Sequence, residues 1–191
     1  GVPTHLGDLD DLSALVEATI ERFGRLDVLV NNAANALTQP VGSFTPEAWA
    51  KSFDVNVRGP VFLSQAALPH LEASGHGAIL NVISAGAFLF SAEVAMYAAG
   101  KAAMLSFTKS FAAALAGRGV RVNALAPGPV DTDMVRNTGE ASMVRMANAV
   151  LQKRIAPADE MIGPALFLAS DASSFVTGQC VVADGGLVPA R

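Results

Sequence analysis

Hydrophobic positions recur along this chain with two periods, and the period switches again and again. Leu12, Leu15, Val16, Ile20 and Phe23 fall at helical spacing between Asp10 and Gly24. A capping acid before such a run and a glycine after it predict an amphipathic helix. Leu26-Asp27-Val28-Leu29-Val30 is a short β-branched run that predicts a strand ending at Asn31-Asn32-Ala33-Ala34. Thr45-Pro46-Glu47 opens a second helix with a capping threonine and a first-turn proline. Along it Glu47, Lys51, Asp54 and Arg58 form a solvated stripe, and Trp49 and Phe53 are expected on the inner side. The apolar run Ala78 to Ile83 predicts a buried strand closed by Ser84, and Glu93 to Ala116 reads as one long helix.

The alternation continues to the end. Val120 to Ala126 is the next strand, stopped by Pro127-Gly128-Pro129. A polar segment, Asp131 to Arg154, is expected to be mobile and precedes a helix around Glu160 to Ser170. Cys180 to Ala183 makes the last strand before Asp184-Gly185-Gly186, and Val2 to Leu6 reads as a short first one. Strands alternating with helices imply an α/β domain, a parallel sheet covered on both faces, occupying residues 1–191 as one unit. Ligands of such sheets bind beyond the carboxyl ends of the strands. Asn31-Asn32, Ser84 and Pro127-Gly128 all stand there.

Composition narrows the possibilities. Hydrophobic residues make up 51% of the chain and charged ones 16%, with a mean hydropathy of +0.39. That apolar balance points to surface buried between subunits. The net charge of −4 with no basic block speaks against a nucleic-acid partner. No apolar run approaches the roughly 18 residues of a membrane helix. The single Cys180 forms no internal disulfide and fits a reducing, cytoplasmic setting. His5, His70 and His76 lack metal-ligand spacing, so no metal site is expected.

The chemistry concentrates in one stretch. Tyr97 is the only tyrosine, and Lys101 follows at i+4, on the same face of the long helix. A hydroxyl at a strand end, Ser84, and a phenol on the next helix are placed to converge on one substrate atom. A tyrosine ordinarily titrates near 10. An ammonium about 4 Å away favours phenolate by roughly 4 kcal/mol, about 3 pKa units, with burial of the phenolate opposing it. Asn56, inside a helical stretch and close to Gly59-Pro60, marks a kink with a free backbone carbonyl.

These residues together resemble the short-chain dehydrogenase/reductase family in its Tyr-x-x-x-Lys form. The landmarks run the length of the chain: Asp8-Leu9, Asn31-Asn32-Ala33-Ala34, Asn56, Ser84, Tyr97, Lys101, then Pro127-Gly128-Pro129-Val130-Asp131-Thr132, Thr177-Gly178 and Asp184-Gly185-Gly186. The resemblance implies a doubly wound Rossmann-like sheet and hydride transfer between NAD or NADP and a carbonyl or alcohol substrate. It implies Tyr97 as acid/base, Lys101 as the residue that lowers its pKa and holds the nicotinamide ribose, and Ser84 as the partner of the substrate oxygen. The Asn56 carbonyl would hold a relay water. Asp8 and Leu9 would lie along adenine, Asn32, Ala33 and Ala34 along the adenosine ribose, and Val130 and Thr132 at the carboxamide. Two small departures stand out: Ala34 replaces the usual glycine, and Gly100 stands where serine is common.

The family's opening strand, Gly-rich turn and helix have no counterpart within these residues, so the choice between NAD and NADP is unreadable. The natural polypeptide is expected to be longer, or another chain to supply the edge beside Leu26 to Val30. A homo-oligomer, tetramer or dimer, follows from the long helix, whose only charges between Val94 and Ala116 are Lys101 and Lys109. Phe107-Thr108-Lys109-Ser110 and Ala126-Pro127-Gly128 resemble the 3-oxoacyl-thioester reductases. Met134, Val135, Met143, Val144 and Met146 suggest an apolar ligand. The alternative is a family member without turnover, acting as an assembly or binding subunit. A hydrolase built on Ser84 lacks the Gly-x-Ser-x-Gly elbow and a placed histidine.

Overall fold

The computed structural model describes residues 1–37, 39–90 and 92–188. Among these residues four strands, all parallel, lie in the order β1-β2-β3-β4: Val28–Asn31, Ala78–Val82, Arg121–Pro127 and Cys180–Ala183. Register is fixed by pairs such as Leu29 with Ile79 and Ile79 with Val122. The two central strands are buried along nearly their whole length, as strands covered on both faces must be.

Three helices cover one face. α1 (Leu9–Phe23) buries Leu12 and Val16 and ends at Gly24, which adopts φ 75°. α3 (Gly59–Ser74) contributes Leu63, Ala67 and Leu71, and α4 (Ala95–Leu115) contributes Ala112 and Leu115. These side chains close over Ile79, Val120 and Val122. α7 (Ile162–Ala169) covers the other face, setting Leu168 on Leu80 and Leu125. Successive residues of β2 thus feed opposite cores, as period-two pleating requires.

α2 (Pro46–Phe53) starts where its sequence says it should. Thr45 Oγ1 accepts from Ala48 N at 3.2 Å, and Pro46 stands in the first turn. It runs into a π turn, Asp54–Arg58, in which Gly59 N bonds back to the Asp54 carbonyl. The irregularity expected at Asn56 is therefore real and takes this form.

Four sequence readings need correction. Asp8, not Asp10, caps α1, its carboxylate accepting from Asp10 N and Asp11 N. Among the described residues Val2 to Leu6 pairs with no strand; Leu6 lies instead against the start of α3, where its O would stand 2.3 Å from a Cβ placed on Gly59. Trp49 is not on an inner face: it is 48% exposed and stacks on Phe53 with ring centroids 4.2 Å apart. The polar segment after Pro129 is largely helical, forming α5 (Asp133–Arg136) and α6 (Glu140–Ala149). Local capping bonds from Val135 N and Arg136 N to Thr132 O start α5. Among the described residues no helix is long and apolar enough to cross a membrane.

Candidate active site

β2 delivers its chain to the carboxyl edge of the sheet. Ile83 N still pairs with Leu125 O at 2.8 Å, and Ser84 then caps a short 3-10 turn, Ala85–Phe88. Ser84 Oγ accepts from Gly86 N at 3.0 Å. One lone pair is thereby committed, and the hydroxyl proton is left to donate. The chain returns as α4, with Tyr97 in its first turn and Lys101 one turn further.

Lys101 is 4% exposed. Its ammonium donates to Val82 O at 2.9 Å and lies 5.6 Å from the centre of the Tyr97 ring. Burial lowers its pKa to about 8. Burial also raises the Tyr97 phenol above its ordinary value, and the Ser84 hydroxyl, hydrogen-bonded to it, opposes part of that rise. The expected lowering of Tyr97 by Lys101 is therefore not what this arrangement gives. The ammonium addresses a backbone carbonyl, and loss of solvent dominates at the phenol.

Asn56 lies buried within the π turn. Its side chain pairs with the backbone of Asn35 in both directions: Asn35 N donates to Oδ1 at 3.0 Å, and Nδ2 donates to Asn35 O at 2.9 Å. Asn35 in turn donates to Lys51 O at 3.0 Å. The loop leaving β1 is thus held over the turn, and sequence reasoning did not pick out Asn35. Its signal was a third asparagine directly after Asn31-Asn32-Ala33-Ala34. Asn56 also faces α4: a Cβ on Gly100 would meet its Cβ at 3.4 Å and Val57 Cγ2 at 3.5 Å. Those are ordinary contacts, so a Cβ at position 100 meets no clash.

The other candidates fall at the same edge. Asn32 and Ala33 are exposed just past β1, with Ala34 half-buried. Val130 is buried and bridges to Ala156, while Thr132 is exposed where α5 begins. Asp8 is exposed at the amino end of α1 and Leu9 half-buried against the core. That segment touches the π turn, Arg58 Nη1 donating to Gly7 O at 3.4 Å. A cleft of about 480 Å³ opens beyond β3 and β4, between Pro129, Arg154 and Asp184-Gly185-Gly186. A second, of about 310 Å³ between Ile20, Gly24 and His70, lies away from these residues, at the ends of α1 and α3. No group of three or more His, Cys, Asp or Glu suited to a metal occurs among the described residues.

The residues present suit a dinucleotide at its nicotinamide end. Lys101 has three N–H donors and, among the described residues, one acceptor, the Val82 carbonyl. A buried ammonium with two donors to spare matches the adjacent hydroxyls of a ribose.

Known proteins resemble the chain over nearly its whole length. Residues 2–188 match the family model described as enoyl-(acyl carrier protein) reductase. A probable galactose dehydrogenase of Rhizobium meliloti is 36% identical over 97% of this chain and 73% of its own length. The 3-oxoacyl-(acyl-carrier-protein) reductase of Thermotoga maritima is 36% identical over 96% of this chain and 75% of its own. The crystal structure of a gluconate 5-dehydrogenase from Burkholderia cenocepacia, in complex with NADP and tartrate, superimposes with a TM-score of 0.91. It is 35% identical, over 97% of this chain and 74% of that one.

Proposed function

The chain belongs to the short-chain dehydrogenase/reductase family, and from that premise we propose how its residues divide the work. It is an oxidoreductase that transfers a hydride between NAD(P) and a carbonyl or alcohol substrate. The observation that carries the assignment of roles is the meeting of Ser84, Tyr97 and the buried Lys101 at the carboxyl end of β2.

A bound nicotinamide supplies the hydride in reduction and accepts it in oxidation. Around it, Ser84 turns the proton it shares with Tyr97 onto the substrate oxygen and stabilises the charge that develops there. Tyr97, kept protonated at neutral pH by burial, delivers its phenolic proton to the same oxygen. Lys101 binds the ribose hydroxyls with its free donors and stays charged below about pH 8. Asn56 fixes the loop at Asn35, and its backbone carbonyl holds a water that restores the proton through Lys101. Asp8 and Leu9 take the adenine, Asn32, Ala33 and Ala34 the adenosine ribose, and Val130 and Thr132 the carboxamide.

Loss of absorbance at 340 nm with NADH or NADPH against ketones and 3-oxoacyl thioesters, and its gain with NAD or NADP against sugar lactols, tests this reading. Turnover with at least one class is expected. Tight dinucleotide binding with no turnover anywhere would favour an assembly or binding subunit instead. The relatives named above include a sugar dehydrogenase and a thioester reductase at equal identity, so both classes belong in the panel.

The protein works in the cytoplasm as a homo-oligomer, a tetramer in our reading. What supports this is the outward side of α4, where Ala99, Ala102, Ser106, Ser110, Ala113 and Ala114 are exposed. This face of small side chains, with Lys109 exposed at its border, allows close approach of a second copy. Light scattering is expected to give a mass near four chains, and a monomer at micromolar concentration would refute it.

A further inference from the structure

The carboxyl end of the sheet carries a buried ladder of polar side chains that the roles above leave unused. Asn31 ends β1 and stands beside Asn81 of β2 in register. The Asn31 amide donates to Ser64 Oγ at 3.0 Å and to Asn81 Oδ1 at 2.9 Å. Asn81 donates onward to Thr108 Oγ1 at 2.9 Å. Both hydroxyls pass their protons to helix carbonyls, Ser64 to Pro60 at 2.7 Å and Thr108 to Met104 at 2.8 Å. All four side chains are buried, Thr108 completely.

This ladder bears on α4, the helix that carries Tyr97 and Lys101. Thr108 follows Lys101 at i+7, two turns further along the same face. α4 is therefore fastened to β2 at two points: Lys101 to the Val82 carbonyl, and Thr108 to the side chain of the neighbouring Asn81. The two fastenings differ in stiffness. Lysine reaches its carbonyl on a four-carbon stem that tolerates displacement, whereas the threonine hydroxyl sits one bond from a branched, rotamer-locked Cβ. The short link sets the position of the helix along the strand. Tyr97 lies three turns toward the amino end on the same rigid rod, so any slide at Thr108 is passed on to the phenol undiminished. Without the Thr108 oxygen, the Asn81 amide would be a buried donor lacking its acceptor, and the helix would shift to find it another.

We propose that Thr108 is a positioning residue for hydride transfer: bound to Asn81, it sets where along β2 the helix α4 rests, and so keeps the Tyr97 phenol opposite Ser84. The inference rests on the roles proposed above for those two residues. Thr108→Val keeps the volume and removes the hydroxyl, while Thr108→Ser keeps the hydroxyl. Because Tyr97 is the sole tyrosine, 3-fluorotyrosine incorporated into the full chain gives one ¹⁹F resonance that reports on this ring whether or not the protein turns over. The valine variant is expected to move that resonance and to lower kcat about ten-fold or more, with both KM values within about three-fold. The serine variant is expected to match wild type in resonance and rate. A folded Thr108→Val with the wild-type resonance overturns the inference whatever its rate, and so does a displaced resonance in Thr108→Ser. If valine prevents folding, Thr108→Ala replaces it under the same criteria. A wild-type protein inert toward every carbonyl would refute the proposed function, and the resonance alone would then decide this inference.

Discussion

Tyr97→Phe is expected to lower the rate of carbonyl reduction by about 10²- to 10⁴-fold, the usual worth of a placed acid, while dinucleotide binding stays within a few-fold. The substitution removes one oxygen and leaves the ring in place beside Lys101. It takes away the transferable proton and one hydrogen-bond partner of Ser84, and nothing else. The two directions of reaction should also depend differently on pH. Burial holds the phenol protonated, so the proton donor of reduction is present throughout the neutral range. Oxidation needs a proton acceptor at the same atom and should speed up as pH rises. Steady-state rates in both directions, with dinucleotide binding followed by fluorescence, check this. A phenylalanine variant within a few-fold of wild type would remove Tyr97 from its role.

Lys101→Met should make the protein inactive and more stable at once. The folded state holds an ammonium whose pKa burial has lowered from 10.5 to about 8. Between those values the unfolded lysine is more protonated than the folded one, so the contribution of Lys101 to stability rises with pH across that window. Below it the charge costs the fold about 3 kcal/mol, at 1.36 kcal/mol per pKa unit. Methionine keeps the stem and discards the charge, but it strips the Val82 carbonyl of a donor, a loss of about 1 kcal/mol. The net expectation at neutral pH is a gain of about 2 kcal/mol, and a stability profile that lacks the lysine's upward contribution from about pH 8 to 10. Denaturant unfolding of both proteins across that range measures it. Equal slopes would mean that the wild-type ammonium is not buried as described.

What the sequence revealed, and what it hid, follows the range of the forces involved. Thr45 and Gly24 act within one turn of chain, so their helix boundaries were legible. The strands at Ala78–Val82 and Arg121–Pro127 declared themselves by apolar runs broken only by Asn81, Arg121 and Asn123. Ser84, Tyr97 and Lys101 were found by spacing because a strand end and a helix face constrain their geometry. Val2 to Leu6 looked like a strand, yet a strand exists only where a neighbour completes its ladder, and residue pattern does not say whether one is there. Trp49 fits an inner face by spacing, but α2 buries Ser52 instead, which contacts the Asn56 amide at 3.4 Å. The polar ladder from Ser64 to Thr108 joins residues far apart in sequence. The pKa of Tyr97 turned on desolvation and on the direction of one lysine stem, neither of which is written in the order of residues.

The π turn at Asp54–Arg58 has a consequence for chain length. An α-helix advances about 100° per residue. The extra residue housed in the turn therefore leaves α2 and α3 about a quarter-revolution out of phase with one continuous helix. Deleting a single residue there, Val55 for instance, would heal the hydrogen-bond ladder and lengthen the helix without a break. It would also rotate α2 about its own axis, swinging Ser52 away from Asn56 and carrying Lys51 off the Asn35 side chain. Substitutions leave that phase alone, because it is counted in residues. At this point the loop after β1 is held in place by an integer.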